Sequence, residues 1–277
     1  MMYLQINETK CQRDGLCAAE CPAGLITMQD GRPTPVEYIE QACFHCGHCV
    51  AVCPHDALSL QTMPLEESPA LRENWKLTPE QVEHFLKGRR SIRLYKQQDV
   101  ERDLLAKAID IARYAPTGHN TQSVQWRVMY DRQRVQEVAS ATIDWMRSMI
   151  QQQSPMAGAF GMVGIVNAWE RQNDLICRNA PHLVIAHAPK EDRIASSSAT
   201  IALTYLELAA LPLGLGTCWA GFAQIASSMS PGVAQTFRLP ENHVNHGVMM
   251  IGYPQMNYHR IPMRKAPLIT WDSDATA

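Results

Sequence analysis

Apolar and polar positions after residue 78 follow a pattern that predicts helices separated by short strands. Residues 99–114 carry apolar side chains at helical spacing, and the pattern ends at Ala115-Pro116. A helix is also predicted after Thr78, because Thr78-Pro79 is a typical helix start, and it should end at Gly88. The remaining elements are a long apolar helix at 194–213 and short strands at 126–130, 183–187, 213–219 and 248–253. This alternation predicts an α/β or α+β sandwich.

The first 63 residues show a different pattern, in which one unit occurs twice. Each unit has a short apolar strand, a loop with cysteines, a Cys-Pro turn and a second short strand. The apolar positions are Leu4 and Ile6 before the first loop, Leu25 and Ile26 after it, and Ala57, Leu58 and Leu60 after the second. Residues 64–79 contain prolines and acidic residues without periodicity, so a linker or a packing arm is predicted there. We therefore expect one domain at 1–63 and another at 80–277.

The composition is that of a folded protein and excludes several classes of function. The 277 residues are 46% hydrophobic and 19% charged, which suffices for a core and does not indicate disorder. The net charge of −2 predicts no surface for nucleic acid, and no apolar window long enough for a membrane span occurs. The N-terminus has no secretory signal pattern, so we expect a cytoplasmic protein whose thiols bind metal.

The densest cysteine run indicates an iron–sulfur site. Cys43, Cys46, Cys49 and Cys53 stand at spacings of x2, x2 and x3, and Pro54 follows the last. Three cysteines of such a run hold one [4Fe–4S] cluster, and the fourth reaches another. Zinc is the alternative, because paired C-x2-C knuckles bind it too. Zinc knuckles usually have longer spacers and do not require the Cys-Pro ending, so the cluster is favoured.

A second cysteine set completes the resemblance to bacterial-type two-cluster ferredoxins. Cys11, Cys17 and Cys21 precede Pro22, with Asp14 at the position of the missing cysteine. In that family the fourth cysteine of each run serves the other cluster. The resemblance therefore implies one cluster held by Cys21, Cys43, Cys46 and Cys49, and another held by Cys11, Cys17, Cys53 and Asp14.

Asp14 has two interpretations. A carboxylate is a weaker partner for cluster iron than a thiolate, so this position predicts either an oxygen-ligated [4Fe–4S] cluster or a [3Fe–4S] cluster. Alternatively, Asp14 only shapes the turn before Gly15, as Asp-Gly pairs commonly do. His45 and His48 lie between complete cysteine ligands and are interpreted as loop residues that tune the cluster.

Four motifs after residue 80 together resemble the nitroreductase family of FMN enzymes. They are R-R-S-x-R at 89–93, A-P-T-G-x-N-x-Q at 115–122, G-L-G-T-C-W at 214–219 and I-G-Y-P…P-M-R-K at 251–265. Each is weak alone, but all four occur in the family's order and spacing over about residues 80–270. The resemblance implies an α+β fold, and fusions of a ferredoxin to a nitroreductase are a recognisable subgroup. The family often has N-x-Q-P-W where this chain has N-T-Q-S-V-Q-W, so Trp126 is expected only to pack in its strand.

The nitroreductase resemblance implies a set of FMN-binding residues. Arginine donates two parallel hydrogen bonds to phosphate, which suits Arg89 with Ser91, Arg264 and Lys265. Arg93 falls where the family places a cation near N1 of the ring, and such charge tunes the flavin. Asn120 and Gln122 would bind the pyrimidine and ribityl edges, whereas Arg90 is either a flavin contact or a surface cation. Backbone near N5 of the ring would come from Gly216, Thr217, Cys218 and Trp219.

The combined resemblance implies an iron–sulfur flavoprotein. Electrons would pass through two clusters to FMN and on to a small electron-poor acceptor such as a nitroaromatic or a quinone, with ferredoxin or NAD(P)H as donor. The alternative is a non-catalytic electron carrier or redox sensor. The resemblance also implies a homodimer with a C-terminal arm. Residues 154–172 are either a lid over the flavin or an ordinary surface helix, and Cys177 and Cys218 should be buried apolar side chains.

Overall fold

The computed structural model describes residues 3–272. The predicted domain ranges 1–63 and 80–277 therefore include two residues at the start and five at the end that lie outside the described part. None of the helices in the described part combines the length and apolar character needed to cross a membrane.

The N-terminal region is built from two small antiparallel strand pairs and three short helices. Its elements are β1 (Leu4–Ile6), α1 (Leu16–Ala19), β2 (Ile26–Gln29), β3 (Arg32–Pro35), α2 (Ile39–Ala42), α3 (His48–Val52) and β4 (Leu58–Leu60). β1 pairs with β4, so that Leu4 lies opposite Leu60, and β2 pairs with β3. These pairings join the two predicted repeat units around one core that contains Leu4, Leu25 and Leu58. β3 is the strand before the second loop, to which the sequence analysis assigned no residues because Arg-Pro-Thr-Pro lacks apolar alternation.

The predicted linker contains only short turns of 3₁₀ helix, at Leu65–Glu67 and Glu73–Trp75. The helix predicted after it is α4 (Pro79–Gly88), and its start is as expected. Thr78 Oγ1 accepts from the Gln81 amide at 3.2 Å, while the Thr78 amide donates to Gln81 Oε1 at 2.8 Å. The two reciprocal bonds satisfy amide groups that a helix start otherwise leaves unpaired.

The larger region is a four-stranded antiparallel sheet with helices on both faces. Its elements are α5 (Arg102–Ala112), β5 (Gln125–Met129), α6 (Arg132–Gln151), α7 (Pro155–Ala159), α8 (Met162–Glu170), β6 (His182–Pro189), α9 (Ala195–Ala210), β7 (Gly216–Trp219), α10 (Gly221–Met229), α11 (Pro231–Thr236) and β8 (His243–Gly252). The strand order is β5-β6-β8-β7, and every neighbouring pair is antiparallel. The predicted helices and strands are present, and the antiparallel sheet makes the fold α+β.

Two hydrophobic cores fill the two faces of this sheet. Leu183 and Ile185 on β6 belong to the core under α6, α8 and α10, whereas Val184 and Ala186 belong to the core under α5 and α9. Successive strand residues point to opposite faces, so a central strand covered on both sides has to be apolar throughout. The continuous apolar run at 183–187 is therefore explained by the helices that cover both faces of the sheet.

The segment at 154–172 forms α7 and α8. Met162, Ile165 and Ala168 bury one face of α8 in the core beside α6, while Val163 and Phe160 are exposed. Cys177 and Cys218 are buried as predicted. α8 thus packs as an integral helix of the fold, and the lid remains a prediction that concerns its exposed face.

Candidate functional site

Four cysteines from the two halves of the N-terminal region line one cavity. It has about 400 Å³ of empty space, and its lining includes Cys21, Cys43, Cys46 and Cys49. Cys43 and Cys46 come from the loop before α3, Cys49 lies in the first turn of α3, and Cys21 comes from the turn before β2. We call this the first cavity. Its cysteines are the set that the ferredoxin resemblance implies for one cluster.

A second cavity contains the other set. It has about 270 Å³ of empty space, and its lining includes Cys11, Asp14, Cys17 and Cys53. Cys53, the last cysteine of the later run, lines this cavity together with Cys11 and Cys17 of the earlier run. Cys21, the last cysteine of the earlier run, lines the first cavity with the other cysteines of the later run. This crossing is the arrangement expected for two clusters.

The backbone gives Asp14 the position that Cys46 has in the other loop. Arg13 and Gly15 around Asp14 have φ of 60° and 77°, and His45 and Gly47 around Cys46 have 52° and 70°. Left-handed backbone at matching places makes the two loops local copies, and glycine adopts it without strain. The Asp14 carboxylate also has other partners, because Oδ1 accepts from the Leu16 amide at 3.2 Å and Oδ2 lies 3.6 Å from His55 Nε2.

Backbone amides and burial both suit thiolates that bind iron. The amides of Leu25 and Ala57 donate to the sulfurs of Cys21 and Cys53 at 3.3 and 3.5 Å. Such bonds are among the factors that set the reduction potential of a cluster. Burial raises the pKa of Cys49 to about 11, so its thiolate needs a positive charge beside it. The donor sets therefore fit iron–sulfur clusters.

Three of the four predicted FMN motifs meet along β7. The amide of Ile92, in the motif at 89–93, donates to the carbonyl of Thr217 at 2.8 Å. Two more backbone bonds tie this segment to the motif that begins at 251, from the Lys96 amide to Tyr253 O at 2.9 Å and from the Gln255 amide to Leu94 O at 3.0 Å. The result is one wall built from three distant parts of the sequence.

Gly216 is required for the close approach in this wall. A Cβ atom at Gly216 would lie 2.4 Å from Ile92 Cγ1, well inside van der Waals contact. The second glycine of the G-L-G-T-C-W motif is therefore explained by the close approach of the segment at 89–93. Only a residue without a side chain lets the two backbones form their hydrogen bond.

Arg89 in this wall is paired with an acidic residue that the sequence analysis missed. Its Nη1 atom donates to Glu207 Oε1 at 2.9 Å, and Thr217 Oγ1 donates to the same oxygen at 3.5 Å. Glu207 is buried, with only 8% of its surface exposed. The sequence does contain a signal for a paired Glu207, because this is the one charged residue in the otherwise uncharged sequence of α9. The guanidinium has further N–H groups that can donate to a phosphate.

The remaining predicted cations lie around this wall or on the arm. Arg90 is half-buried and its Nε donates to the Arg89 carbonyl at 2.6 Å, whereas Arg93 is exposed. Arg264 and Lys265 are exposed, and within residues 3–272 no hydrogen bond connects either of them to Arg89. The Ser91 carbonyl accepts from Tyr258 at 3.5 Å, which ties the arm to the wall. Burial raises the pKa of Cys218, and Trp219 packs on the core beneath α9.

The motif at 115–122 faces the N-terminal region. Asn120 Nδ2 donates to the carbonyls of Phe44 and His45 at 3.1 and 2.8 Å. The ring of His119 meets the ring of Phe44 edge-on, with centroids 5.0 Å apart. Gln122 is exposed, and its amide donates to Thr117 Oγ1 at 3.1 Å. Asn120, predicted to bind flavin, therefore contacts the loop of the first cavity.

Comparisons with known proteins match the two regions separately. The family model described as the nitroreductase family matches residues 86–253, and that described as a 4Fe-4S dicluster domain matches residues 4–57. A curated protein of Methanothermobacter thermautotrophicus, provisionally named NADH dehydrogenase/NAD(P)H nitroreductase, is 23% identical over 186 residues, covering 66% of this chain and 82% of that protein.

Solved structures resemble the larger region. A nitroreductase with bound FMN from Bacteroides fragilis has a TM-score of 0.54 at 21% identity, covering 69% of this chain and 97% of that chain. A nitroreductase with bound FMN from Desulfitobacterium hafniense has a TM-score of 0.52 at 18% identity, covering 73% of this chain and 99% of that chain. At these identities the likeness concerns the fold.

Proposed function

Because the chain belongs to the nitroreductase family and is an FMN-dependent oxidoreductase with a 4Fe-4S domain, we propose that it passes electrons through two clusters to FMN and then to a small electron-poor acceptor. Nitroaromatics and quinones are the proposed acceptors, and ferredoxin or NAD(P)H is the proposed donor. The observation that carries the proposal is the crossed sorting of the ligands into two cavities beside a nitroreductase fold. FMN, when bound, exchanges electrons singly with clusters and in pairs with organic molecules.

The wall along β7 is the proposed FMN site. Arg89, held by Glu207, would donate its free N–H groups to the phosphate. Arg93, Asn120, Gln122 and the backbone at 216–219 would contact the ribityl chain and the ring. Arg90, Ser91, Arg264 and Lys265 complete the proposed set. A half-buried arginine with a fixed orientation fits a phosphate, because little side-chain freedom remains to be lost on binding.

The C-terminal segment supports the proposed homodimer. Residues 254–272 contain no helix or regular strand in the described part, and they expose Met263, Leu268 and Trp271. Exposed apolar residues grouped on one segment commonly mark an interaction site. A second copy of the chain would cover them and bring Arg264 and Lys265 towards a flavin site. The dense set of thiols fits the proposed cytoplasmic location, because a reducing compartment keeps them free for iron.

Anaerobic purification followed by iron, sulfide and flavin assays tests the proposal. We expect one FMN and about seven or eight irons per chain, with seven indicating a [3Fe–4S] cluster at the Asp14 site. Stoichiometric zinc without sulfide would overturn the cluster assignment, and failure to bind FMN after reconstitution would overturn the flavin site. Catalytic turnover of a nitroaromatic or quinone separates the enzyme from an electron carrier, which would exchange electrons only with a protein partner.

A further inference from the structure

We propose that Asn120 is a positioning residue that docks the loop of the first cavity, residues 43–46, onto the flavin-binding region. This inference rests on the proposed function, because it assigns a direction to the electron path. It makes the cluster held by Cys21, Cys43, Cys46 and Cys49 the one that exchanges electrons with FMN. The cluster at the Asp14 site would then face the external donor.

The contact is specific in its geometry. The two amide hydrogens of Asn120 are matched to two consecutive carbonyls, those of Phe44 and His45, which lie between the predicted ligands Cys43 and Cys46. His45 has a φ of 52° and Asn120 a φ of 52°, so left-handed backbone occurs on both sides of the contact. Such backbone is uncommon for residues other than glycine and persists where the surroundings hold it.

Both sides of the contact are fixed within their own regions. The ring of His45 lies against Tyr3, whose hydroxyl is 2.8 Å from His45 Nδ1. On the other side, a Cβ atom at Gly118 would lie 2.6 Å from Ile194 Cδ1, so the motif passes tightly against the residue that precedes α9. A contact between two fixed segments defines the distance between the regions, which a contact between mobile loops would not.

Asn120 also holds a unique place among the polar contacts. Within residues 3–272, its two bonds are the only hydrogen bonds between the first 63 residues and those after residue 79. The edge-on contact of His119 with Phe44 adds an aromatic contact at the same point. Phe44 lines the first cavity and not the second, so the first cavity is the one joined to the flavin-binding region.

The electron transfer needs no additional reactant. The docked cluster would supply one electron to FMN, and the donor of the proposed function would replace that electron. Asn120 would not exchange electrons or protons. Its contribution is to keep the cluster loop at a constant distance from the flavin.

The test replaces Asn120 with aspartate in the holoprotein. Asn120→Asp keeps the shape but puts a carboxylate against two carbonyl oxygens, which removes both donors and adds repulsion. The matched control is Asn74→Asp, which adds the same charge on an exposed turn of the linker. The FMN content of Asn120→Asp is measured first, and both readouts are compared at full FMN loading. Deuterium exchange at the amides of residues 44–49 should rise at least about tenfold, a loss of roughly 1.4 kcal/mol of protection.

A second readout follows the flavin itself. After mixing with reduced methyl viologen under anaerobic conditions, the rate of flavin reduction should fall at least about tenfold in Asn120→Asp and stay unchanged in the control. His119→Ala removes only the ring contact and should shift both readouts in the same direction by less. This variant keeps the test valid if the aspartate variant does not fold.

The outcomes separate this inference from the function on which it rests. Loss of FMN from Asn120→Asp together with unchanged exchange at residues 44–49 would identify Asn120 as a flavin ligand only and overturn the docking role. Unchanged exchange and unchanged flavin reduction in a variant that keeps its FMN and iron would also overturn it. Failure of the unmodified protein to hold iron, sulfide or FMN would instead refute the proposed function.

Discussion

Arg89 and Glu207 form an ion pair, with Nη1 and Oε1 2.9 Å apart, that connects the segment after α4 to the helix α9. Both side chains are largely shielded from solvent, with 24% and 10% of their surfaces exposed. Removing one partner from such a pair leaves a poorly solvated charge, which costs more than the pair itself contributes. The pair therefore has consequences for folding and for the proposed phosphate site.

Glu207→Ala should lower the free energy of unfolding by about 2–3 kcal/mol. The dissociation constant of FMN should rise about tenfold, because the Arg89 guanidinium is no longer held in one orientation. Denaturant titration and flavin fluorescence measure the two effects. Glu170→Ala is the control, because Glu170 pairs with Arg147 at an exposed site and should change stability by less than about 1 kcal/mol. An equal effect of both variants would contradict the role given to Glu207.

Gly216→Ala should separate the segment at 89–93 from β7. Its new methyl group would meet Ile92 at 2.4 Å, and the overlap should cost about 1–3 kcal/mol of unfolding free energy and weaken FMN binding. Gly221→Ala is the matched control, because nothing lies within 4 Å of a Cβ there and alanine favours the helix α10. A Gly216→Ala protein as stable as the control would show that the backbone at this wall is free to move.

Two substitutions at Asp14 distinguish its two interpretations. If the carboxylate binds iron, Asp14→Cys should supply a fourth thiolate, raise the iron content by about one per chain and remove any [3Fe–4S] signal in electron paramagnetic resonance. Asp14→Asn keeps the oxygen that accepts from the Leu16 amide and should then lose iron. Spectra and potentials that are identical in all three proteins would support a role in the turn alone.

Stability should fall in acid because of His187. Burial, together with the nearby His243, Arg127 and His246, lowers the pKa of this residue to about 4. The unfolded chain, with a histidine pKa near 6.5, takes up the proton first as the pH falls. The free energy of unfolding should therefore have its full value above pH 6.5 and decrease by up to about 3 kcal/mol as the pH falls towards 4.

Anaerobic denaturant titrations at several pH values measure this dependence. His187→Gln should flatten it, because the buried titrating ring is absent. His84→Gln, on the exposed side of α4, should leave it unchanged. A dependence that survives in His187→Gln would assign it to other groups, such as His246, whose pKa burial also lowers.

Local sequence signals predicted those features that depend on local geometry. The ligand sets follow from spacings such as Cys43-x2-Cys46, and the start of α4 follows from Thr78 and Gln81, because each group interacts within a few residues. The helix α6 was missed, although Val135, Val138, Thr142 and Met146 share its buried face and Asp131 caps its start. Its many polar residues hid a helical pattern that was present.

Contacts between distant segments could not be predicted in this way. Nothing near Arg89 in the sequence indicates Glu207, which is 118 positions away. Asn120 matched a family motif, yet the structure aims its amide at the loop of Phe44 and His45. The direction of a side chain at such a boundary depends on what the other region presents, and a motif within one region carries no information about it.

The linker at 64–79 lowers the binding strength that the contact of Asn120 must supply to hold the two regions together. A short tether keeps the N-terminal region at an effective concentration on the order of millimolar near the flavin-binding region. Two ordinary hydrogen bonds then suffice to hold the docked state, although they would be too weak to assemble separate proteins. Docking is then an intramolecular event, so the fraction of docked protein does not depend on how much protein the cell contains.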